Sequence, residues 1–202
     1  FTITGISAEE TQTNAGTYDV KVVGTPKVTA PNGTDVTKQF IITPKDGTLT
    51  INPATITDDP EDPDDPDSKR FDVSYPDDTQ YNGEEQKQPV TVHDNVTGKD
   101  LVEGTDFVLE YSEDVVNVGA VVVTVKGIGN YDGSVKRDYE ITPRDVVFES
   151  ASDEKVYDGT PLTNDEITIG GDGLAEKDKD LVTFKVTGSQ TYVGESENTF
   201  EY

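Results

Sequence analysis

The chain has 202 residues, 41 acidic and 16 basic, for a formal charge of −25. A surface of that sign repels polyphosphate and anionic headgroups, which excludes nucleic-acid binding by counterion release and opposes membrane insertion; no stretch approaches the roughly 20 apolar residues of a membrane span. Cys, Met and Trp are absent, so disulfides, thiol nucleophiles and thiolate zinc sites are excluded, while 32% hydrophobic residues with 18 Gly and 11 Pro suit short strands, many turns and several small cores.

FTITG at residues 1–5 and the turn-like QTNAG ending at Gly16 open the chain, and that glycine stands where a hairpin needs positive φ. In DVTKQFIITP, residues 35–44, Val36, Lys38, Phe40 and Ile42 keep a period of two. The alternation predicts a strand with one buried face, ended by Pro44, which has no N–H for the ladder. Residues 57–69, TDDPEDPDDPDSK, place Pro at every third position among acids. Charge repulsion and proline stiffness predict an extended polyproline-II spacer there, because coiling around calcium would need a glycine at the turn.

Residues 71–143 are all-β text throughout. YNG at 81–83 marks a turn, VTVHD places His93 on a strand, and GKDLVEG at 98–104 supports at most one short helical turn. Phe107, Leu109 and Tyr111, then Val121, Val123 and Val125, alternate with their neighbours. GNYDG at 129–133 turns the chain into a last strand from Val135 to Ile141, with Lys136, Asp138 and Glu140 on its wet face and Pro143 ending it. Beyond residue 144, KVYDGTPLT at 155–163 echoes the YNG turn, and FKVTG with QTYVG, ending at Gly194, echoes the opening of the chain.

These echoes are spaced. DVTKQFIITPKDGTLT from Asp35 lies over SVKRDYEITPRDVVFE from Ser134 without a gap, Tyr81 and Tyr157 are 76 residues apart, and Gly119 and Gly194 are 75 apart. A repeat of about 75 residues follows, a scaffold written more than once. The expected organisation is the C-terminal part of a β repeat over 1–56, the acidic linker over 57–70, a complete repeat over 71–143 and the N-terminal part of a further repeat over 144–202. Five or six short strands and no crossover helix predict small antiparallel Ig-like sandwiches in tandem, elongated as a whole; the alternative is β-grasp-like modules with GKDLVEG as the remnant helix. Fragments with open strand edges are expected to exchange strands between copies, residues 154–202 pairing with residues 1–53 of a neighbour.

The stretch from YNGEEQKQP at Tyr81 to YEITP ending at Pro143 resembles the tandem repeats of wall-anchored, LPXTG-type, adhesin-like surface proteins of Gram-positive bacteria. KVYDGTPLT, VTGSQTYVG and NGTDVTKQFIITPKDGTLTI are similar to the YDG and MBG repeats of such proteins. The resemblance implies β-rich stalk modules outside the cell, in a wall-anchored or secreted protein whose anchor lies outside these residues. It implies neighbouring repeats as partners, a mucin-binding-like role toward host mucin glycans or extracellular proteins as the alternative, and an accessory domain of a secreted enzyme as a third reading.

No catalytic, cofactor-binding or metal-binding residue is expected. A single imidazole, His93, cannot build a His-rich metal site or a Cys-His dyad, no nucleophile elbow is present, and an apolar pocket to raise a catalytic carboxyl is hard to build from this composition. The ligand-binding candidates are Tyr81, Tyr131 and Tyr157, rings beside Asx-Gly turns that could stack on sugars or simply cap small cores. Lys155 and Lys185, expected on strands, are the candidates for an intramolecular isopeptide staple to Asn or Asp.

Overall fold

The computed structural model describes residues 1–8, 10–65 and 67–202. Strand accounts for 42% of the chain and helix for 4%, so the chain is all-β as its composition and periodicity require. In chain order the strands are β1 (Thr2–Ala8), β2 (Gly16–Val20), β3 (Val22–Thr29), β4 (Gly47–Ile51), β5 (Ala54–Ile56), β6 (Phe71–Val73), β7 (Thr79–Gln80) and β8 (Val92–Asp94). They continue with β9 (Lys99–Asp100), β10 (Phe107–Tyr111), β11 (Gly119–Gly127), β12 (Tyr131–Thr142), β13 (Val146–Ser150), β14 (Ile167–Gly171), β15 (Lys185–Val186) and β16 (Phe200–Glu201). Short 3-10 turns occur at Thr37–Gln39 and Glu176–Leu181. Among the described residues no helix is long and apolar enough to cross a membrane.

The chain divides into two compact units, one of Phe1–Val73, Thr91–Leu109 and Val125–Val135, the other of Ser74–Val90, Glu110–Thr124 and Lys136–Tyr202. Within the first, β1 pairs with β3, β2 with β4, and β6 with β8 and β8 with β9, all antiparallel, while β5 runs parallel to the start of β12. Within the second, β13 pairs with β14 and β15 with β16, both antiparallel, and β7 runs parallel to the end of β12.

The long strands obey the period of two. On β11, Val121, Val123 and Val125 are buried, and Val122, Thr124 and Lys126 are more exposed. On β12, Val135, Arg137, Tyr139 and Ile141 are buried and Lys136, Asp138 and Glu140 face water, with the strand ending at Thr142 before Pro143. Arg137 keeps its place on the buried face by laying its guanidinium carbon 4.4 Å from the centroid of the Tyr75 ring, a stacking that a weakly hydrated planar cation can make. Val115, Val121, Tyr139 and Ile141 form a core cluster with Tyr81 and Tyr111 packed against it.

Three local expectations are corrected. The first ITP copy is not a strand: Gln39 N–H donates to the Val36 carbonyl, Phe40 N–H to that of Thr37, and the Thr37 hydroxyl binds Asp35 while accepting from Val28 N–H. Local side-chain bonds have taken the backbone groups that a ladder would need, and Phe40 and Ile41 stand 46% and 100% exposed. The acidic spacer is not fully extended either. Glu61 N–H donates to the Ser68 carbonyl at 2.7 Å, and Asp62 and Asp65 side chains accept from the N–H groups of Asp64 and Asp67, folding the segment into Asx turns despite its prolines. Pro66 lies outside the described residues. Lys155 lies in no strand, whereas Lys185 opens β15. Gly16, Gly119 and Gly194 have the expected positive φ, 154°, 145° and 148°, but none closes a tight hairpin: Gly16 and Gly119 open β2 and β11, and Gly194 lies in a loop.

Candidate functional site

The three tyrosines occupy three different settings. Tyr131, in the first unit, starts β12 and meets Phe71 edge-on at 5.9 Å, beside the buried Asp94 carboxylate and Arg70. Burial first, then the negative charges of Asp94 and Asp106, push its phenol up. Tyr81 follows β7 in the second unit. Its N–H donates to the Thr142 carbonyl at 2.9 Å, its body packs on the core cluster and its hydroxyl donates to Asp178 at 3.4 Å, a bond that with burial raises its pKa. Both rings are therefore built into the scaffold, with body covered and hydroxyl near a carboxylate. Tyr157 differs: it lies in a loop, 60% exposed, on a groove of about 1060 Å³ that Lys155 and Tyr192 also line.

Lys155 spends its ammonium on Asp158 at 2.9 Å, the Thr160 hydroxyl at 2.6 Å and the Pro161 carbonyl at 3.3 Å. The Lys155 contact, then the Thr160 N–H and hydroxyl, hold the Asp158 carboxyl far below the usual range. Ionised this firmly, the carboxylate is a poor acylating partner for an amine. Lys185 sits across β15 and β16 from Glu201. His93 is on β8, as read, with Nδ1 2.7 Å from Asp100. Among the described residues no three His, Asp or Glu side chains gather into a metal site.

The densest polar constellation lies where the second ITP copy ends, and sequence reasoning passed over it. Arg144 Nε donates to the Gly173 carbonyl at 2.7 Å, Nη1 to the Tyr81 carbonyl at 3.3 Å, and Nη2 to the Asp172 carbonyl. The Asp172 carboxylate accepts from Asp145 N–H at 2.9 Å and from Gln80 Nε2 at 2.7 Å; these bonds, the Asp145 N–H foremost, hold its carboxyl below the ordinary range. One guanidinium and one carboxylate thus tie the exit of β12 to the turn after β14 and to the strand end at β7. A neighbouring cavity of about 650 Å³, lined by Asn82, Arg144, Asp172, Glu176 and Lys179 among others, offers no free cation, since Arg144 is committed to carbonyls and Lys179 pairs with Glu176 at 2.5 Å. The signal was present in the repeat itself: after ITP each copy writes a base and then Asp, Lys45-Asp46 and Arg144-Asp145. At the first copy Asp46 accepts from Val22 N–H at 2.9 Å and pairs with Lys21 at 3.5 Å, again fastening the post-ITP segment to a strand.

No family model, curated protein or solved structure matches the chain.

Proposed function

We propose that the chain is a run of non-catalytic spacer repeats, small Ig-like sandwiches in tandem, from the stalk of an extracellular bacterial surface protein of the adhesin type. The observation that supports this reading is the Arg144–Asp172 fastening at the end of β12. A stalk transmits position only if the passage from one repeat to the next is stiff. A guanidinium bound to three carbonyls stiffens such a passage at the cost of any ligand it could have held. The polar groups of the site satisfy one another, as in a joint rather than a reaction centre.

Small-angle scattering extrapolated to zero concentration tests it. A stalk segment gives a radius of gyration well above the roughly 17 Å of a compact chain of this length; a value at 17 Å overturns the reading. Arg144→Ala should leave secondary structure in place and open the segment around residues 143–146 to limited proteolysis. The binding alternative, mucin glycan stacking on Tyr157, rests on that ring's exposure in its groove. It requires saturable mucin retention by the chain and its loss in Tyr157→Ala.

A further inference from the structure

We propose that Asn82 is a self-modification site: the backbone nitrogen of Gly83 attacks the Asn82 side-chain amide, and the turn after β7 converts slowly to aspartate and isoaspartate. Asn-Gly occurs twice in the chain, at residues 32–33 and 82–83. A glycine after asparagine leaves the amide carbon open to the following backbone nitrogen, and a five-membered ring closes with little loss of freedom. Water is the only co-reactant. The Gly83 nitrogen loses its proton to solvent and bonds to Cγ, the Cγ–Nδ2 bond breaks, and ammonia leaves with a proton taken back from solvent. Water then opens the cyclic imide, at the side-chain carbonyl to give aspartate or at the backbone carbonyl to give isoaspartate.

The fold separates the two sites at the nucleophile. Their amide oxygens are alike: Asn82 Oδ1 accepts from the Glu84 N–H at 2.8 Å and Asn32 Oδ1 from the Thr34 N–H at 3.1 Å, donors that support charge developing on the oxygen. The Gly33 N–H, however, donates to the Ala30 carbonyl at 2.9 Å, and the Ala30 N–H to that of Thr34 at 2.9 Å. Attack at Asn32 must first give up the Gly33 bond. The Gly83 N–H has no acceptor among the described residues, and Asn82 is exposed, on the cavity that Arg144 also lines. The two products differ in their effect. YDG at 157–159 already writes the aspartate form of this turn: Asp158 Oδ1 accepts from the Thr160 N–H at 2.9 Å, and Gly159 has φ 80° against 81° at Gly83. Aspartate at 82 therefore keeps the turn. Isoaspartate adds a methylene to the backbone directly after Tyr81, whose N–H is held by the Thr142 carbonyl and whose carbonyl holds Arg144. It loosens the Arg144 fastening. The inference does not rest on the stalk reading, because the chemistry belongs to the turn whatever the chain does.

Ageing the full chain in mildly alkaline buffer, folded and in urea, provides the test, with the peptides around residues 32 and 82 followed by mass spectrometry and isoaspartate resolved by chromatography. In the folded chain Asn82 should convert about fivefold faster than Asn32, the factor that one backbone hydrogen bond of ordinary net strength withholds. In urea, where that bond is gone, the two rates should converge. Chain enriched in isoaspartate at 82 should be cut faster around residues 143–146 by limited proteolysis, and Asn82→Asp should be cut at the parent's rate. Equal or reversed rates in the folded chain, no conversion there of Asn82, or a difference that survives urea would each overturn the proposal. So would isoaspartate-bearing chain cut no faster than Asn82→Asp.

Discussion

Asp94 carries the sharpest electrostatic argument in the molecule, because its side chain is 0% exposed and faces a guanidinium. Burial alone would raise its carboxyl, but Arg70 at 3.2 Å and the N–H groups of Val96 and Thr97 outweigh burial and hold it below the ordinary value. A carboxyl depressed in the folded state stabilises above its unfolded pKa, near 3.9, and that contribution is lost as pH falls through the folded value. Asp94→Asn should therefore cost about 2 kcal/mol at neutral pH, since Arg70 stays partly solvated, and the difference from the parent should shrink below about pH 4. Urea titrations of both chains at pH 7 and pH 3 check the sign; a difference that grows in acid would refute the assignment. Tyr139 makes a second residue-scale case. Its hydroxyl donates to the Gln86 carbonyl and accepts from Gln88 N–H at 3.4 Å, inside the core cluster. Tyr139→Phe keeps the ring and strands those backbone groups, so a loss of about 1–2 kcal/mol is expected in the same titration, with no change of fold by circular dichroism.

At the scale of elements, β12 is organised by what touches its ends. Its start pairs with β5 through Tyr131, Asp132 and Gly133 against Ala54, Thr55 and Ile56. Gly133 has φ 75°, and a Cβ there would meet Thr55 Cγ2 at 2.6 Å and the Ile56 carbonyl oxygen at 2.7 Å. Gly133→Ala combines backbone strain with a backbone clash, and should cost at least about 2 kcal/mol and raise amide exchange at Ala54–Ile56 first. Unchanged exchange there would show that β5 tolerates displacement. The sequence announced β11 and β12, because alternation over long strands depends only on which side chains meet water. It announced the glycine turns for the same local reason. It misled at residues 35–44, where the letters of a strand lack a neighbour and Thr37 closes a turn instead, and at 57–69, where Ser68 and the Asx side chains bend a proline-rich run. Arg144 escaped notice because its three partners are carbonyls, which no residue pattern advertises. Tyr81 and Tyr131 were legible as rings beside turns, but which of them are covered depends on packing between distant segments.

Across the whole molecule the largest unbalanced quantity is charge. With 41 acids and 16 bases, most carboxylates have no cation to meet. The cations present make mostly exposed pairs, such as Lys21 with Asp46 at 3.5 Å and Lys27 with Asp35 at 3.7 Å, which water and salt screen. Self-repulsion should then oppose the compact state more than pairing supports it, and salt, which shortens the Debye length from about 30 Å at 0.01 M to about 8 Å at 0.15 M, should remove more repulsion than attraction. Thermal unfolding is expected to move upward by about 3–6 °C over that range, equivalent to roughly 1–2 kcal/mol for a chain of this size. The same rise should follow from sodium and calcium chloride compared at equal ionic strength, because the effect is screening and the described residues form no three-carboxylate cation site. Differential scanning calorimetry in the two salts measures it. A melting point that falls with salt would mean that attractive pairs dominate, and a calcium increment beyond the sodium curve would mean that the acidic surface holds the ion specifically.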